Sequence, residues 1–318
     1  MFPGNCPAID GAIKKDETGF ASIDYEKCIN CGKCTAACPF GAVHERSQIV
    51  DILKAMKSDK KVVALVAPSI VGQFPGTIYQ LKTAIIKAGF DDVFEVAQGA
   101  DVTATNEAKE FVERMEEGQE FMTTSCCAGY NQLIKKHMSE IKPFVSDTKT
   151  PLFYTAEIVK QEHPDAATVF VSPCVAKRTE GLENPNVDFV MNYEELGALL
   201  IGRKIEILAC EPEEFDKESS KQARNFGVTG GVAKAVQDAA IEPTDVKPYV
   251  ISGITKDSIR QLRKMAKDGV ACDECNLVEV MCCEGGCVRG NATINHTKTA
   301  YKVLQEFVDA SEDIKNHK

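Results

Sequence analysis

From Lys61 onward, short apolar runs alternate with segments whose apolar positions recur at helical spacing. "KVVALVAPSI" reads as a buried strand entering a loop, and "GTIYQLKTAIIKAGF" as an amphipathic helix stopped by Gly89. "DVFEVA" is a strand, followed by the helix "TNEAKEFVERMEEG" with its own glycine stop. "EFMTTSCCAGY" is a short strand running into a loop, and "ATVFVSPCVAKRTE" repeats that shape. The strand "KPYVISGI", the helix "KDSIRQLRKMAKDG" and the strand "NLVEVM" complete the pattern. Such alternation predicts an α/β fold of mainly parallel sheet flanked by helices. The beginning differs: residues 1–45 are turn-rich and dense in cysteine, and "SQIVDILKAMKSDKK" reads as a connecting helix. The expected division is a small domain over 1–45, a linker helix over 46–60 and a large domain over 61–318. No internal repeat or low-complexity tract stands out.

Composition narrows the function classes. A length of 318 residues allows one large domain and a small one. The formal net charge of -10, with no Lys/Arg-rich block, argues against nucleic acid or an anionic membrane as partner and suits a basic or neutral protein. No apolar stretch reaches the ~18 residues a spanning helix needs. The start, "MFPGNCPAID", lacks the layout of a secretory signal, so a cytoplasmic location is expected. There, 14 cysteines call for metal binding or redox work, because disulfide frameworks belong to short exported chains.

The first cysteine group names its own chemistry. "CINCGKCTAACP" supplies Cys28, Cys31, Cys34 and Cys38-Pro39, the C-x2-C-x2-C-x3-C-P run of bacterial ferredoxins. Three thiolates from one tight loop can grip three irons of a [4Fe–4S] cube, and a structural zinc is the weaker alternative. The fourth iron in such modules takes a distant Cys-Pro, which Cys6-Pro7 offers. The expected ligands are therefore Cys6, Cys28, Cys31 and Cys34. Cys38 is then spare, or serves a second cluster with other ligands.

The remaining cysteines share a position. Cys126 and Cys127 follow "EFMTT", Cys174 follows "TVFVS", and Cys283 and Cys287 follow "LVEVM". All lie just beyond the carboxyl end of an expected strand, the edge where open α/β sheets bind ligands. The expectation is that they converge on one metal site along one rim.

"TTSCCAGY", "SPCVAKRTE" and "EVMCCEGGCVRG", in this order on this scaffold, resemble the three signature loops of [FeFe]-hydrogenases. The resemblance covers essentially the whole chain and implies a two-lobed hydrogenase domain behind a small ferredoxin-like α+β domain. It implies that Cys127, Cys174, Cys283 and Cys287 ligate a [4Fe–4S] cube, with Cys287 also bridging to a diiron unit carrying CO, cyanide and a dithiolate. Lys177 would hydrogen-bond one cyanide, and Ala67, Pro68 and Ser69 would line the other. Pro173, Phe226 and Met281 would be further cover. Cys126 would relay protons to the dithiolate bridge, since a thiol both donates and accepts. An outward path would continue through Glu107, Ser146 and Glu110, with Arg114 near its exit; the glutamate spacing puts both carboxylates on one helix face. The implied partners are H₂ and protons, an electron-carrier protein such as ferredoxin, and maturation proteins that insert the diiron unit.

The chain departs from that family's usual pattern. Its first loop ordinarily continues Pro-x-Trp, whereas this one reads Ala128-Gly129-Tyr130, and the chain has no tryptophan. Ser172 stands where the second loop usually has Met, which puts a hydroxyl near the diiron pocket, and the third loop ends "VRGNATI". A more polar pocket shifts redox balance, so a divergent or sensory branch is indicated. Two alternatives to the enzyme remain open: a slow-turnover hydrogen sensor, and a hydrogenase-like iron–sulfur protein without diiron. Cys272, Cys275 and Cys282 have no place in the scheme and read as free thiols, and Cys210 as a buried small hydrophobe.

Overall fold

A computed structural model describes residues 6–9, 11–240 and 245–316. The N-terminal segment holds an antiparallel hairpin, β1 (Ile13–Lys15) with β2 (Ala21–Ile23), and one short helix, α1 (Lys33–Ala36). Helix α2 (Ile49–Ala55) leads to β3 (Val62–Val66), α3 (Ile78–Lys87) and β4 (Asp92–Glu95). Next come α4 (Ala97–Glu116), β5 (Met122–Thr123), α5 (Ala128–His137), α6 (Pro151–Glu162) and β6 (Ala167–Val171). These precede α7 (Ala176–Glu183), β7 (Phe189–Met191), α8 (Tyr193–Gly202), α9 (Lys221–Arg224) and α10 (Gly231–Ala239). The chain closes with β8 (Pro248–Ser252), α11 (Lys256–Asp268), β9 (Leu277–Met281) and α12 (Thr297–Asp309).

The strands beyond the hairpin form two parallel sheets, ordered β4-β3-β6-β7 and β5-β9-β8. The α/β expectation holds, with one correction: the cysteine-bearing rim belongs to two sheets. Cys174 follows β6 of the first sheet, while the other loops follow β5 and β9 of the second.

Both sheets are covered on both faces, which is why their strands are continuous apolar runs. In β3, Val62, Ala64 and Val66 pack toward α3 and α8, while Val63 and Leu65 pack toward α6. In the second sheet, Val278, Val280 and Ile251 meet Tyr130 and Leu133 of α5 and Leu262 of α11. Met122 and Leu277, on its other face, meet Phe111 of α4 and Val236 of α10. The same core that holds α5 and α11 also takes in Ile29 and Cys31, so the N-terminal loop is packed into the second lobe.

Helix α4 begins at Ala97, eight residues before the sequence pattern suggested. "AQGADVTA" is poor in helix formers, with Gly99 and the β-branched Val102 and Thr103. Burial of Ala97, Ala100, Thr103 and Ala104 outweighs that propensity. Glu107 and Glu110 consequently lie in the middle of a long helix, held by tertiary packing on both sides.

Candidate active site

The loops beyond β3, β5, β6 and β9 meet at a largely apolar cavity. Its walls include Ala67, Pro68 and Ser69 from the first loop, and Cys126 and Cys127 from the second. Pro173, Cys174 and Lys177 come from the third, with Phe226, Met281 and Cys287 completing it. All of these residues line the same cavity. Ser172 also lines the cavity, as its substitution for Met implied. Cys283 stands behind the wall, close enough to Cys174, Cys127 and Cys287 for their charges to interact.

The chain geometry explains how a loop delivers these groups. Gly286 has φ +90°, and a side chain there would run into the backbone of Thr229 and Gly227. Only glycine fits that position, and the turn it permits brings Cys287 from behind β9 to the cavity wall. Cys127 Sγ accepts the backbone N–H of Cys282 at 3.3 Å, which ties the second loop to the end of β9.

Burial dominates the electrostatics. It pushes the Cys174 and Cys287 thiols up to about 12, with neighbouring thiols adding to the rise, and it drives Cys283 higher still. Cys174 and Cys287 line the cavity. Among the described residues, no three His, Cys, Asp or Glu side chains close on a point as ligands of a single ion do.

Lys177 is the cation of this pocket. Its Nζ donates to Glu180 Oε2 at 2.6 Å and to the Cys126 carbonyl at 3.4 Å, using two of three N–H bonds. Burial works against its charge, but Glu180 outweighs burial and the net pKa shift is upward. Across the cavity, the Ser69 hydroxyl pairs with the Tyr193 hydroxyl at 2.8 Å.

A file of titratable groups leads away from Cys126. Its buried thiol is raised well above the ordinary value, by burial first and then by the nearby Glu107. Glu107 is fully buried; its Oε1 accepts the Ser125 N–H at 3.2 Å, and its Oε2 has no partner among the described residues. Burial lifts this carboxyl to about 8, so it is mostly protonated at neutral pH. Ser146 stands between the two glutamates: it faces Glu107 and donates to Glu110 Oε2 at 2.7 Å. Glu110 also accepts the Thr148 hydroxyl at 2.6 Å and the Asp147 N–H at 2.8 Å, and it pairs with Arg114 at 2.6 Å. Burial opposes its charge, yet Thr148, Asp147, Ser146 and Arg114 together hold it below the usual carboxylate range. Arg114 also reaches Asp147, whose side chain is 96% exposed, so the file ends in solvent.

In the N-terminal segment, Cys6, Cys28, Cys31 and Cys34 gather as neighbours. Cys38 lies apart, its sulfur accepting the Ala42 N–H at 3.3 Å. The loop is pinned to the second lobe: Lys136 Nζ donates to the Tyr25 and Cys28 carbonyls, Lys33 Nζ to that of Ile254, and Asn291 to that of Cys31. The neighbouring Cys282 thiol holds Cys31 below its ordinary value. Cys272 and Cys275 are joined as a disulfide, which corrects their reading as free thiols: a tight turn brings their Cα atoms to 5.2 Å.

Several groups at the site were not anticipated. Glu279, in β9, is wholly buried and accepts the N–H groups of Gly230 and Ala233 at the start of α10; burial lifts it to about 7. A lone acid within "NLVEVM" was its signal. Glu180, a helical turn beyond Lys177, and Thr148, two residues beyond Ser146, carried weaker ones.

This chain belongs to the iron-only hydrogenase large-subunit family. Residues 60–291 match that family's C-terminal domain, and residues 21–44 match a 4Fe-4S binding domain. Iron hydrogenase 1 of Clostridium pasteurianum is 30% identical over 87% of this chain and 67% of its own length. The NADP-reducing hydrogenase subunit HndD of Solidesulfovibrio fructosivorans is 28% identical over 85% of this chain; the chain spans 56% of that relative. A variant of the [FeFe]-hydrogenase HydA1 from Chlamydomonas reinhardtii superposes with a TM-score of 0.68 at 18% identity, covering 86% of this chain and 92% of that one. That likeness is one of fold. Other relatives differ in kind: the cytosolic Fe-S cluster assembly factor NAR1 of Meyerozyma guilliermondii is 25% identical over 60% of this chain and 41% of its own length. The chain is thus an iron–sulfur protein on the hydrogenase scaffold, and no helix among the described residues is long and apolar enough to cross a membrane.

Proposed function

We propose that this chain interconverts hydrogen with protons and electrons, 2H⁺ + 2e⁻ ⇌ H₂. On this reading, Cys127, Cys174, Cys283 and Cys287 would hold a [4Fe–4S] cube, and Cys287 would also hold a diiron unit with CO, cyanide and dithiolate ligands. The observation that carries the reading is the junction of an apolar cavity, walled by three of those thiols, with a buried file of proton-bearing groups that reaches solvent. A cluster-binding scaffold alone has no use for that file. The residues also fit the group: the cavity offers thiols, one cation and apolar walls, with little else to ligate a metal.

When bound, the diiron unit supplies an open metal position at which hydrogen is made or split. The remaining work falls to the chain. Lys177 would offer its remaining N–H to an anionic cyanide of that unit, and Ala67, Pro68 and Ser69, which line the cavity, would cover the other. Pro173, Phe226 and Met281 exclude water. The Cys126 thiol hands protons between the cavity and Glu107, whose near-neutral pKa suits both giving and taking. Ser146 rotates between Glu107 and Glu110, and Arg114 holds Glu110 at the exit. Cys6, Cys28, Cys31 and Cys34 would hold a cluster that takes electrons from a carrier protein such as ferredoxin, and separate maturation proteins would insert the diiron unit.

A hydrogen sensor is the second reading, and the buried Ser172 favours it, because a hydroxyl in the cavity alters the balance between redox states. Gas uptake and evolution by protein matured with the diiron unit separates the readings. Ordinary enzymatic rates support the enzyme and trace rates the sensor. Failure to take up the diiron unit leaves a cluster protein of the assembly-factor kind.

A further inference from the structure

Cys272 and Cys275 are left unused by the proposed function. They lie in "VACDECN", between α11 and β9, at the amino end of β9. Cys283 and Cys287 follow the carboxyl end of the same strand, so the pair and the cavity thiols sit at opposite ends of it. The pair is joined as a disulfide, whereas every other cysteine of the chain is unpaired.

That bond contributes little to holding the fold. It links residues separated by 3 in sequence, and the chain entropy removed by a cross-link grows with the length it encloses. The segment is fixed at its two ends instead. Gly269 caps α11, its N–H donating to the Met265 carbonyl. Asn276 ties the start of β9 to the residues before β8: its side chain accepts the Lys247 N–H at 2.7 Å and donates to the Asp245 carbonyl at 2.9 Å. Its backbone carbonyl accepts the Met122 N–H at 2.8 Å, which brings in β5. Opening the disulfide breaks none of these bonds.

Access to the pair is one-sided. Cys272, Asp273 and Glu274 are exposed, while Cys275 is buried. Val270, two residues before Cys272, is 45% exposed and offers a partner an apolar footing. An incoming thiolate therefore meets Cys272 first. Exposed disulfides are the ones that exchange, whereas structural ones resist reduction.

We propose that Cys272 and Cys275 form a thiol-exchange site, reduced and reoxidised by a dithiol carrier protein. A carrier thiolate attacks the Cys272 sulfur, forming an intermolecular disulfide as the Cys272–Cys275 bond breaks, and Cys275 leaves as a thiolate that takes up a proton. The carrier's second thiol then attacks the mixed disulfide, closing the carrier's own disulfide and releasing Cys272, which is protonated in turn. Two electrons and two protons pass from the carrier dithiol to the pair, and the reverse sequence restores the bond. The inference is independent of hydrogen turnover.

The test treats the full chain, clusters in place, with reduced or oxidised thioredoxin as the carrier, then alkylates free thiols and weighs the peptide holding both cysteines. Both are alkylated after reduced thioredoxin and neither after oxidised thioredoxin, at unchanged iron content and cluster EPR signals. Thioredoxin lacking its second cysteine is captured on Cys272 of the wild-type chain, and capture is lost in C272S and in C275S. These variants leave the Gly269 and Asn276 anchors in place, and iron content checks that they fold. A pair that stays blocked under excess reduced thioredoxin is a structural disulfide and overturns the proposal. A pair that stays alkylatable after oxidised thioredoxin, or capture on Cys275, overturns it as well.

Discussion

Two thiol nests lie side by side in this chain, built from the same residue type in opposite surroundings. In the inner nest, burial raises Cys174, Cys283 and Cys287 far above the ordinary thiol value, and like charges add to the rise. In the outer nest, Cys28 and Cys34 are raised more modestly, and backbone N–H groups of Asn30 and Thr35 work against burial. A thiolate in the outer loop is partly stabilised by the chain that carries it. One in the inner nest would, on the proposed reading, depend on metal for nearly all its stabilisation, since ligation is what keeps a buried sulfur deprotonated. The outer nest is thus suited to passing electrons near the surface, and the inner to chemistry that excludes water.

Breaking the inner nest gives the largest effect. Cys283→Ala removes one corner of the inner cube, so iron per chain falls by the content of that cube while the EPR signal of the outer cluster remains. Unchanged iron would dissolve the distinction between the nests.

The next effect separates ligands from relays. Cys126→Ala leaves both nests intact and is expected to lower turnover by about 100-fold or more, as removal of a positioned proton carrier does. Iron analysis beside the rate assay checks this, and a large loss of iron would make Cys126 a ligand.

Glu107→Gln keeps the shape and removes the titration, with a rate loss of about 100-fold at neutral pH. It has a second signature in stability. The carboxyl titrates at 4.5 ordinarily and at about 8 in the folded chain, so between those values the folded form holds a proton that the unfolded form has released. Stability from this group is therefore lost as pH rises through that window. Thermal melts from pH 5 to 8 should show a flatter dependence in Glu107→Gln than in wild type, and parallel curves would contradict the buried-acid assignment.

The smallest expected effect lies at the exit. Thr148→Val removes the 2.6 Å hydroxyl bond to Glu110, which costs about 1–2 kcal/mol of stability by denaturant titration. It also raises the Glu110 pKa, visible as an upward shift of the acidic limb of the rate profile. A larger kinetic effect than that of Cys126→Ala would reverse the order of the file.

Much of this was legible in the sequence because buried parallel strands announce themselves as unbroken apolar runs, as in "VVALV" and "ATVFV". The cysteine loops were legible because ligand spacing is local. What escaped notice depended on tertiary packing. The first turns of α4 form against propensity, and β7 is only three residues long. The split of one expected rim into two sheets follows from strand order, which alternation alone does not specify. Glu180 and Glu279 matter because of what faces them, Lys177 in one case and the start of α10 in the other.

The most direct measurement is the infrared spectrum in the carbonyl and cyanide region of the chain matured with the diiron unit, wild type beside Cys287→Ser. The account predicts sharp CO and CN bands in wild type and their loss in the variant, with the outer cluster retained in both. Bands of equal strength in Cys287→Ser, or none in wild type after maturation, would contradict it.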